Sequence, residues 1–525
     1  MKVLIADPIA QDGIEILSSK AQVDVRTGLS QEELISLIGD YDALVVRSET
    51  KVTADVIRAG RKLRVIGRAG VGVDNIDVDT ATQHGIAVVN APTGNTVAAA
   101  ELTIGLMLAL ARNIPQAHHQ LRNGLWERSR FLGVEVRNKT LGIIGLGRVG
   151  SEVARRAEAM EMKVIAYDPF VSVEHAQNLG AHIVSLEQLL READIITIHT
   201  PLSEGTTHLI GEKELEMVKP SAMIINVARG GIVDESALLR ALDENKVSGA
   251  ALDVFSQEPL PPDSPLIKNN RVVLTPHLGA STQEAQTSVA VDVAQEILSV
   301  LQGQPARYAV NAPLLSPETA AVISPLLPVA TLLGNLAAQI SEGQPNTVHI
   351  KYEGDIANYD TSALKAAVIG GMLQPVSEER ITVVNAGLVA AQRGIKMLEH
   401  KGPIQQNYQN LITVEMESST EPTTVSGTMM RGEAHIVQVN GYWQDVVPTA
   451  AYLLLCENMD SPGIIGAVGT LLGSVDINVA FMQVGRDKPR GKALMILGLD
   501  EPVNEEHRQQ ILNIPRIYSV KQVKL

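Results

Sequence analysis

Leu141-Gly-Ile-Ile144-Gly145-Leu-Gly147-Arg-Val-Gly150 decides the fold. A short apolar strand runs into three glycines spaced G-x-G-x-x-G. The glycines open a helix with Val149, Val153, Ala157 and Met160 on its apolar stripe. The first glycine permits a tight turn, the second lets backbone approach a pyrophosphate, and the third lets helix pack on strand. Asp168 closes the next strand, where a carboxylate accepts from a ribose diol and repels a 2′-phosphate. The pattern therefore points to NAD rather than NADP.

Strands are predicted on either side of this turn, at Leu141 to Ile144, Lys163 to Tyr167, Asp194 to His199, Ala222 to Val227, Gly249 to Asp253 and Val272 to Thr275. Six such strands suit a doubly wound sheet, in a nucleotide-binding unit over 96–282. Upstream, strands at Lys2 to Ala6 and Ala43 to Val46 alternate with helices at Gln31 to Ile38 and Ala54 to Lys62, a second α/β lobe over 1–95. Two long helices, Asn95 to Arg112 and Thr282 to Leu301, join the lobes. The second carries the chain back, so 283–305 belongs to the first lobe. Pro305, Pro313, Pro317, Pro325 and Pro328 mark a linker into an α+β unit over 310–447. Residues 450–525 read strand, helix, strand, strand, helix, strand, a βαββαβ ferredoxin-like module.

At 525 residues the chain has room for three or four domains of about 150 residues each. Its 45% hydrophobic and 20% charged composition is that of a globular protein. A net charge of −15 disfavours nucleic acid and anionic membranes as partners. A single cysteine, Cys456, excludes an intrachain disulfide and suits a reducing cytoplasm. No export signal is read at the start, and no metal-ligand cluster is found. The charge-free stretch Thr319 to Ser341 is long enough to span a bilayer, but Pro325, Pro328, Asn335 and Gln339 make it a buried helix with a proline-marked entry.

Three later loops carry the chemistry: Val227-Ala-Arg229-Gly-Gly231, Asp253 to Glu258-Pro259, and Pro276-His277-Leu-Gly279. They gather at the carboxyl ends of their strands, over the nucleotide crevice. Arg229 can grip a carboxylate or polarise a carbonyl. His277 can exchange a proton with a hydroxyl, and Glu258 can hold the imidazolium. A surface arginine–carboxylate pair beside a solvated histidine is the plainer reading of the same loops. In the 310–447 unit, Lys351, Arg380, Arg393 and Arg431 read as solvated surface rather than as an anion site.

Gly145 to Gly150 with Asp168, His199-Thr-Pro-Leu202, Asn226-Val-Ala-Arg-Gly-Gly-Ile-Val-Asp234, Ala251-Leu-Asp-Val-Phe255 with Glu258-Pro259, and Pro276-His-Leu-Gly-Ala280 together resemble the D-isomer-specific 2-hydroxyacid dehydrogenases over residues 1–303. Arg47 to Thr53, Gly67 to Asn75 and Gly94 to Glu101 are similar to the long form of that family, with an intervening domain and a C-terminal ACT domain. The resemblance implies NAD-dependent oxidation of 3-phospho-D-glycerate to 3-phosphohydroxypyruvate, the first step of L-serine synthesis. It also implies a homo-oligomer, a tetramer in the family.

The same resemblance makes Arg229, Glu258 and His277 the catalytic trio. It places Val71, Gly145, Gly147, Arg148, Val149, Gly150, Asp168, Thr200, Val227, Ala228, Asp253, Gly279 and Ala280 around NAD, with Asp253 accepting from the nicotinamide carboxamide. Arg47 and Arg68 join Arg229 as substrate-binding candidates. Asn458, Asp460 and Asn478 resemble an ACT ligand site. Serine-controlled relatives tend to carry histidine where Asn458 stands and asparagine where Asp460 stands. That leaves L-serine, another amino acid, or a purely dimerising role open. Alternatives for the whole chain are another D-2-hydroxyacid dehydrogenase, such as a hydroxypyruvate or glyoxylate reductase, and an NAD-sensing scaffold of the C-terminal-binding corepressor type.

Overall fold

The computed structural model describes residues 1–525 except 305, 314–315, 344–345, 375–376, 378–380, 404–407 and 418–421. Pro305 and Arg380 therefore lie outside the described residues.

The first lobe is a five-stranded parallel sheet of β1 (Lys2–Ile5), β2 (Gln22–Val25), β3 (Ala43–Val46), β4 (Val65–Arg68) and β5 (Ala87–Asn90), in the order β2-β1-β3-β4-β5. Near-continuous apolar strands such as Ala43–Val46 are fully buried, as a parallel sheet covered on both faces demands. The helix Gln283–Leu301 returns to this lobe and packs Val289, Val293 and Ile297 into its core beside Val3, Val45 and Val65.

The second lobe orders β6 (Thr140–Ile144), β7 (Lys163–Tyr167), β8 (Ala181–Ile183), β9 (Ile195–Ile198), β10 (Met223–Asn226), β11 (Gly249–Leu252) and β12 (Val272–Leu274) as β12-β11-β10-β9-β6-β7-β8, again all parallel. The strand order reverses beside β6, which opens a crevice at the carboxyl ends of β6 and β9. The edge strand β8 is additional to the six read from sequence. At three residues, with only Ala181 buried, it carries no apolar run to betray it. Thr96–Ala111 packs Leu106, Met107 and Leu110 into this lobe's core.

The exit from the first lobe is pinned. The buried Glu296 carboxylate accepts from the N–H groups of Arg307 (2.6 Å) and Tyr308 (3.2 Å) and from Arg307 Nε. Ala309 then bridges antiparallel to Val89, Val310 N–H donates to Val88 O at 2.7 Å, and Asn311 binds Val88 N–H and Ile86 O. The linker thus covers the open edge of β5.

Strands 347–354, 396–402, 410–417, 423–430, 433–439 and 442–446 form a six-stranded mixed sheet, with helices Leu327–Ile340 and Ser362–Leu373 packed on it and on each other. The stretch Glu318–Ile340 is long and apolar enough to cross a membrane, yet Val329, Leu333 and Leu336 have no exposed surface and sit in this domain's core.

The last sheet orders its strands 479–486, 492–499, 452–459 and 517–524, with two helices on one face. Leu454, Cys456, Met495 and Leu497 face those helices. The alternate residues Leu453, Leu455, Leu494, Ile496 and Val523 enter the core of the preceding domain, so one hydrophobic core serves both sheets. Gln339 clamps the seam by exchanging hydrogen bonds with the Lys524 N–H and carbonyl. Thr382 Oγ1 donates to Gly85 O at 3.0 Å and fastens this body to the first lobe.

A chain ended after Pro313 keeps the cover on β5, whereas one ended after Gly303 exposes that edge. Thermal melting of the two truncations is expected to differ by on the order of several degrees in favour of the longer one. Equal melting temperatures would show that the linker contributes nothing to the lobe.

Candidate active site

Gly145 adopts φ +90°, and a Cβ there would lie 2.7 Å from His199 O. At Gly150 a Cβ would lie 2.1 Å from Gly145 O, so the turn admits only glycine at either position. The helix Arg148–Ala159 starts at Gly147 with no side-chain cap, leaving its first N–H groups open to an anion. Asp168 accepts the Leu146 N–H and the Phe170 N–H, each at 2.8 Å. Two carboxylate lone pairs are thereby oriented and two are left for a diol. Beside Gly145, the Thr200 hydroxyl is buried without a partner. A glycine cradle, an uncapped helix and an orphan hydroxyl fit a dinucleotide.

Other expected cofactor residues sort differently. Val227 is buried and Val149, Thr200 and Ala228 are half-buried. The Val71 carbonyl accepts from Asn90 Nδ2 at 2.5 Å. Arg148 reaches across to donate to Pro92 O at 3.0 Å, so its side chain ties the two lobes together. Burial of its ring pulls His199 well below the usual histidine range, and Thr197 Oγ1 partners its Nε2 at 2.9 Å.

Asp253 has no exposed surface. It accepts from Thr275 Oγ1 (2.6 Å), Leu278 N–H (2.8 Å) and Gly279 N–H (2.9 Å), and its own carbonyl accepts the His277 N–H at 2.9 Å. Burial lifts its carboxyl above the ordinary range despite these donors. The carboxylate that the resemblance sets against the nicotinamide carboxamide thus braces the loop carrying His277, and a Cβ on Gly279 would meet it and Val227 at ordinary contact distance, 3.5 Å. Ala280 follows, half-buried.

That bracing holds His277 at φ +54°, an uncommon backbone for a non-glycine residue. Its Nδ1 lies 2.6 Å from Glu258 Oε2, and Glu258 Oε1 accepts the Phe255 N–H at 3.0 Å. Burial alone would raise the Glu258 carboxyl. The hydrogen bonds from His277 and Phe255 and the charges of His277 and Arg229 instead hold it below the usual range. With Nδ1 on the carboxylate, Nε2 is the nitrogen left to exchange a proton.

Arg229 Nε donates to Asp74 Oδ2 of the first lobe at 3.2 Å, and Nη1 donates to Ala228 O at 2.7 Å. Arg68 is pulled down to about 10, by burial first and by the charge of Arg229 next, with Arg47 adding to the effect. It remains cationic at neutral pH with its Nε buried and unpartnered. Arg68 therefore lies within reach of the charges of both Arg229 and Arg47, as a member of an anion site would. Arg47 is held in place through its backbone: its N–H donates to the buried Asp7 at 2.6 Å, and its carbonyl accepts from Asn75 Nδ2. Asp74, Asn75, Asp7 and Asn90 were not singled out from sequence. The run Gly67 to Asn75 was the available signal, but its roles depend on what stands across the crevice.

In the last sheet, Asn458 is buried with its Oδ1 unpartnered. Asp460 accepts from Arg486 Nη1 (2.9 Å) and the Arg490 N–H (3.0 Å), which hold its carboxyl below the ordinary range. Asn478 is not brought to them. It precedes Val479, which pairs with Leu499 beside Tyr452, at the opposite end of the sheet, and its amide donates to Asp500.

Residues 104–279 match the D-isomer specific 2-hydroxyacid dehydrogenase NAD-binding domain, 322–440 the D-3-phosphoglycerate dehydrogenase intervening domain, and 452–516 the ACT domain. The chain is 47% identical to a D-3-phosphoglycerate dehydrogenase of Synechocystis, over 100% of this chain and 95% of that one. It is 44% identical to the enzyme of the same name from Methanocaldococcus jannaschii, over 100% of both. The solved D-lactate dehydrogenase of Aquifex aeolicus, complexed with NAD and lactic acid, superposes with a TM-score of 0.54 at 26% identity, over 60% of this chain and 100% of that one. An NAD crevice, a histidine–glutamate pair and these full-length likenesses agree: the chain belongs to the D-3-phosphoglycerate dehydrogenases, within the D-isomer-specific 2-hydroxyacid dehydrogenase family.

Proposed function

We propose that the chain oxidises 3-phospho-D-glycerate to 3-phosphohydroxypyruvate with NAD⁺, as the first step of L-serine synthesis. The observation that carries this reading is one crevice holding the His277–Glu258 pair at 2.6 Å together with Arg68, which feels the charges of both Arg229 and Arg47. A 2-hydroxyacid needs a base beside its hydroxyl and a cation beside its carboxylate. The phosphate adds up to about two further charges, and a set of three arginines suits that total.

NAD⁺, when bound, supplies the acceptor for the hydride leaving C2. The residues do the rest. His277 Nε2 takes the hydroxyl proton, and Glu258 stabilises the resulting imidazolium. Arg229 holds the carboxylate and polarises the new carbonyl, while Arg47 and Arg68 hold the phosphate. In the reverse direction His277 returns the proton. Replacing His277 with alanine should lower turnover about 10²- to 10⁴-fold while NADH affinity, read by fluorescence, stays near wild type. Turnover within a few-fold of wild type would remove His277 from the role.

Asp168 supports NAD over NADP by charge. Asp168→Ala should weaken NAD⁺ and narrow the preference in kcat/KM. The same assay with a panel of D-hydroxyacids separates the alternatives: broad turnover favours a less selective reductase, and binding without turnover a sensing scaffold.

We read the assembly as a homo-oligomer in the cytoplasm. Trp126 and Leu132, 74% and 90% exposed, support the first, and the lone buried Cys456 the second. L-serine is the effector we assign to the ACT domain. Asp460 is already neutralised by Arg486, which relieves its repulsion of a ligand carboxylate. Asn478 lies too far along its own sheet to join Asn458 within one chain, so its part in such a site needs a second copy. Millimolar L-serine should inhibit the full chain and not one ended after Pro313. Insensitivity of both would assign the domain to dimerisation or to another amino acid.

A further inference from the structure

Two of the three nitrogens of Arg229 are already engaged before any substrate arrives. Its Nε edge carries Asp74 at 3.2 Å, and its Nη1 is engaged by Ala228 O at 2.7 Å. The arrangement is built into the loop beneath it. A Cβ at Gly72 would lie 2.0 Å from Arg229 Nη2 and 2.6 Å from Asp74 Oδ2, so the absence of a side chain there lets the pair form. Gly70 serves Arg68 in the same way, since a Cβ would lie 1.9 Å from its Nη1. One loop therefore receives two guanidiniums, one from its own strand and one from the opposite lobe.

The charges around the pair explain why a carboxylate belongs there. Arg68 and Arg47 add positive charge on the first-lobe side, and Glu258, paired with His277, feels the charge of Arg229 from the second. Asp7, the other first-lobe carboxylate acting on Arg68, is 1% exposed and already accepts Arg47 N–H, Thr50 N–H and Thr50 Oγ1. Asp74 is 65% exposed at its side chain and accepts from Arg229 alone among the described residues, so it can swing away.

We propose that Asp74 is a resident stand-in for the substrate carboxylate: it neutralises Arg229 in the resting enzyme, and the substrate must displace it to bind. Exchange of carboxylate for carboxylate keeps the buried side of the crevice charge-balanced at every stage. The consequence is a positioning residue that sets substrate affinity by competition. The proposal rests on the reading of Arg229 as the carboxylate clamp, and the test separates the two.

The test compares wild type, Asp74→Asn, Asp74→Glu, Arg229→Gln and the Asp74→Asn/Arg229→Gln double variant of the full chain. It measures KM and kcat for 3-phospho-D-glycerate, with its binding by calorimetry. Removing the competitor should lower KM and the dissociation constant about 2- to 10-fold, with the change in KM rather than kcat. Asp74→Glu should restore wild-type behaviour. Arg229→Gln should lose about 10²-fold or more in kcat/KM, and Asp74→Asn should bring no gain in affinity on that background. If Asp74→Asn leaves or raises KM while Arg229→Gln still collapses, the stand-in is overturned and the clamp stands. If Arg229→Gln stays within a few-fold of wild type, the clamp fails and the stand-in with it.

Discussion

The buried carboxylate of Asp253 organises the catalytic half of the molecule. It follows β11 and accepts from three donors on the loop after β12, and its own carbonyl takes the His277 N–H. A charge with no exposed surface is tolerated only when so satisfied. The same bonds hold His277 in a left-handed backbone that a histidine seldom adopts unaided. From that anchor follow the position of the imidazole, its approach to Glu258 at 2.6 Å, and the face it turns to the crevice. Asp253 thus positions the imidazole through backbone.

Around that fixed point the two lobes meet through polar contacts. Arg148 to Pro92 O and Arg229 to Asp74 cross the crevice with the side chain of one lobe on a loop of the other. Contacts of this kind are strong enough to set a resting arrangement and weak enough to exchange for ligand groups. Asn90 contributes from the first lobe by holding the Val71 carbonyl at the crevice edge.

Asn90 also joins the crevice to the rest of the chain. Its N–H donates to Tyr308 O of the linker, which Glu296 pins and which leads into the intervening domain. That domain is in turn welded to the ACT sheet by one core containing Leu333, Ile350, Leu455 and Ile496. The two C-terminal sheets are therefore one mechanical body, attached to the first lobe by the linker on β5 and by Thr382 on Gly85.

Much of this was legible in the residues because it is local. Apolar runs placed most strands of the second lobe and the terminal βαββαβ order, since burial on both faces of a parallel sheet or on alternate faces of an antiparallel one writes itself into neighbouring side chains. The glycine spacing of Gly145 to Gly150 announced a nucleotide turn, and at Gly145 and Gly150 backbone clearance leaves no other residue possible. Arg229, Glu258 and His277 were visible as polar loops after late strands. The partners were not. Asp74 binds Arg229 across 155 positions of chain, Ala309 pairs with Val89, and Leu455 buries itself in a different domain's core. Periodicity and motif spacing report what a residue does to its neighbours in the chain. Which carboxylate neutralises an arginine, or what covers a sheet face, is decided by elements that only the tertiary fold brings within hydrogen-bonding and van der Waals range.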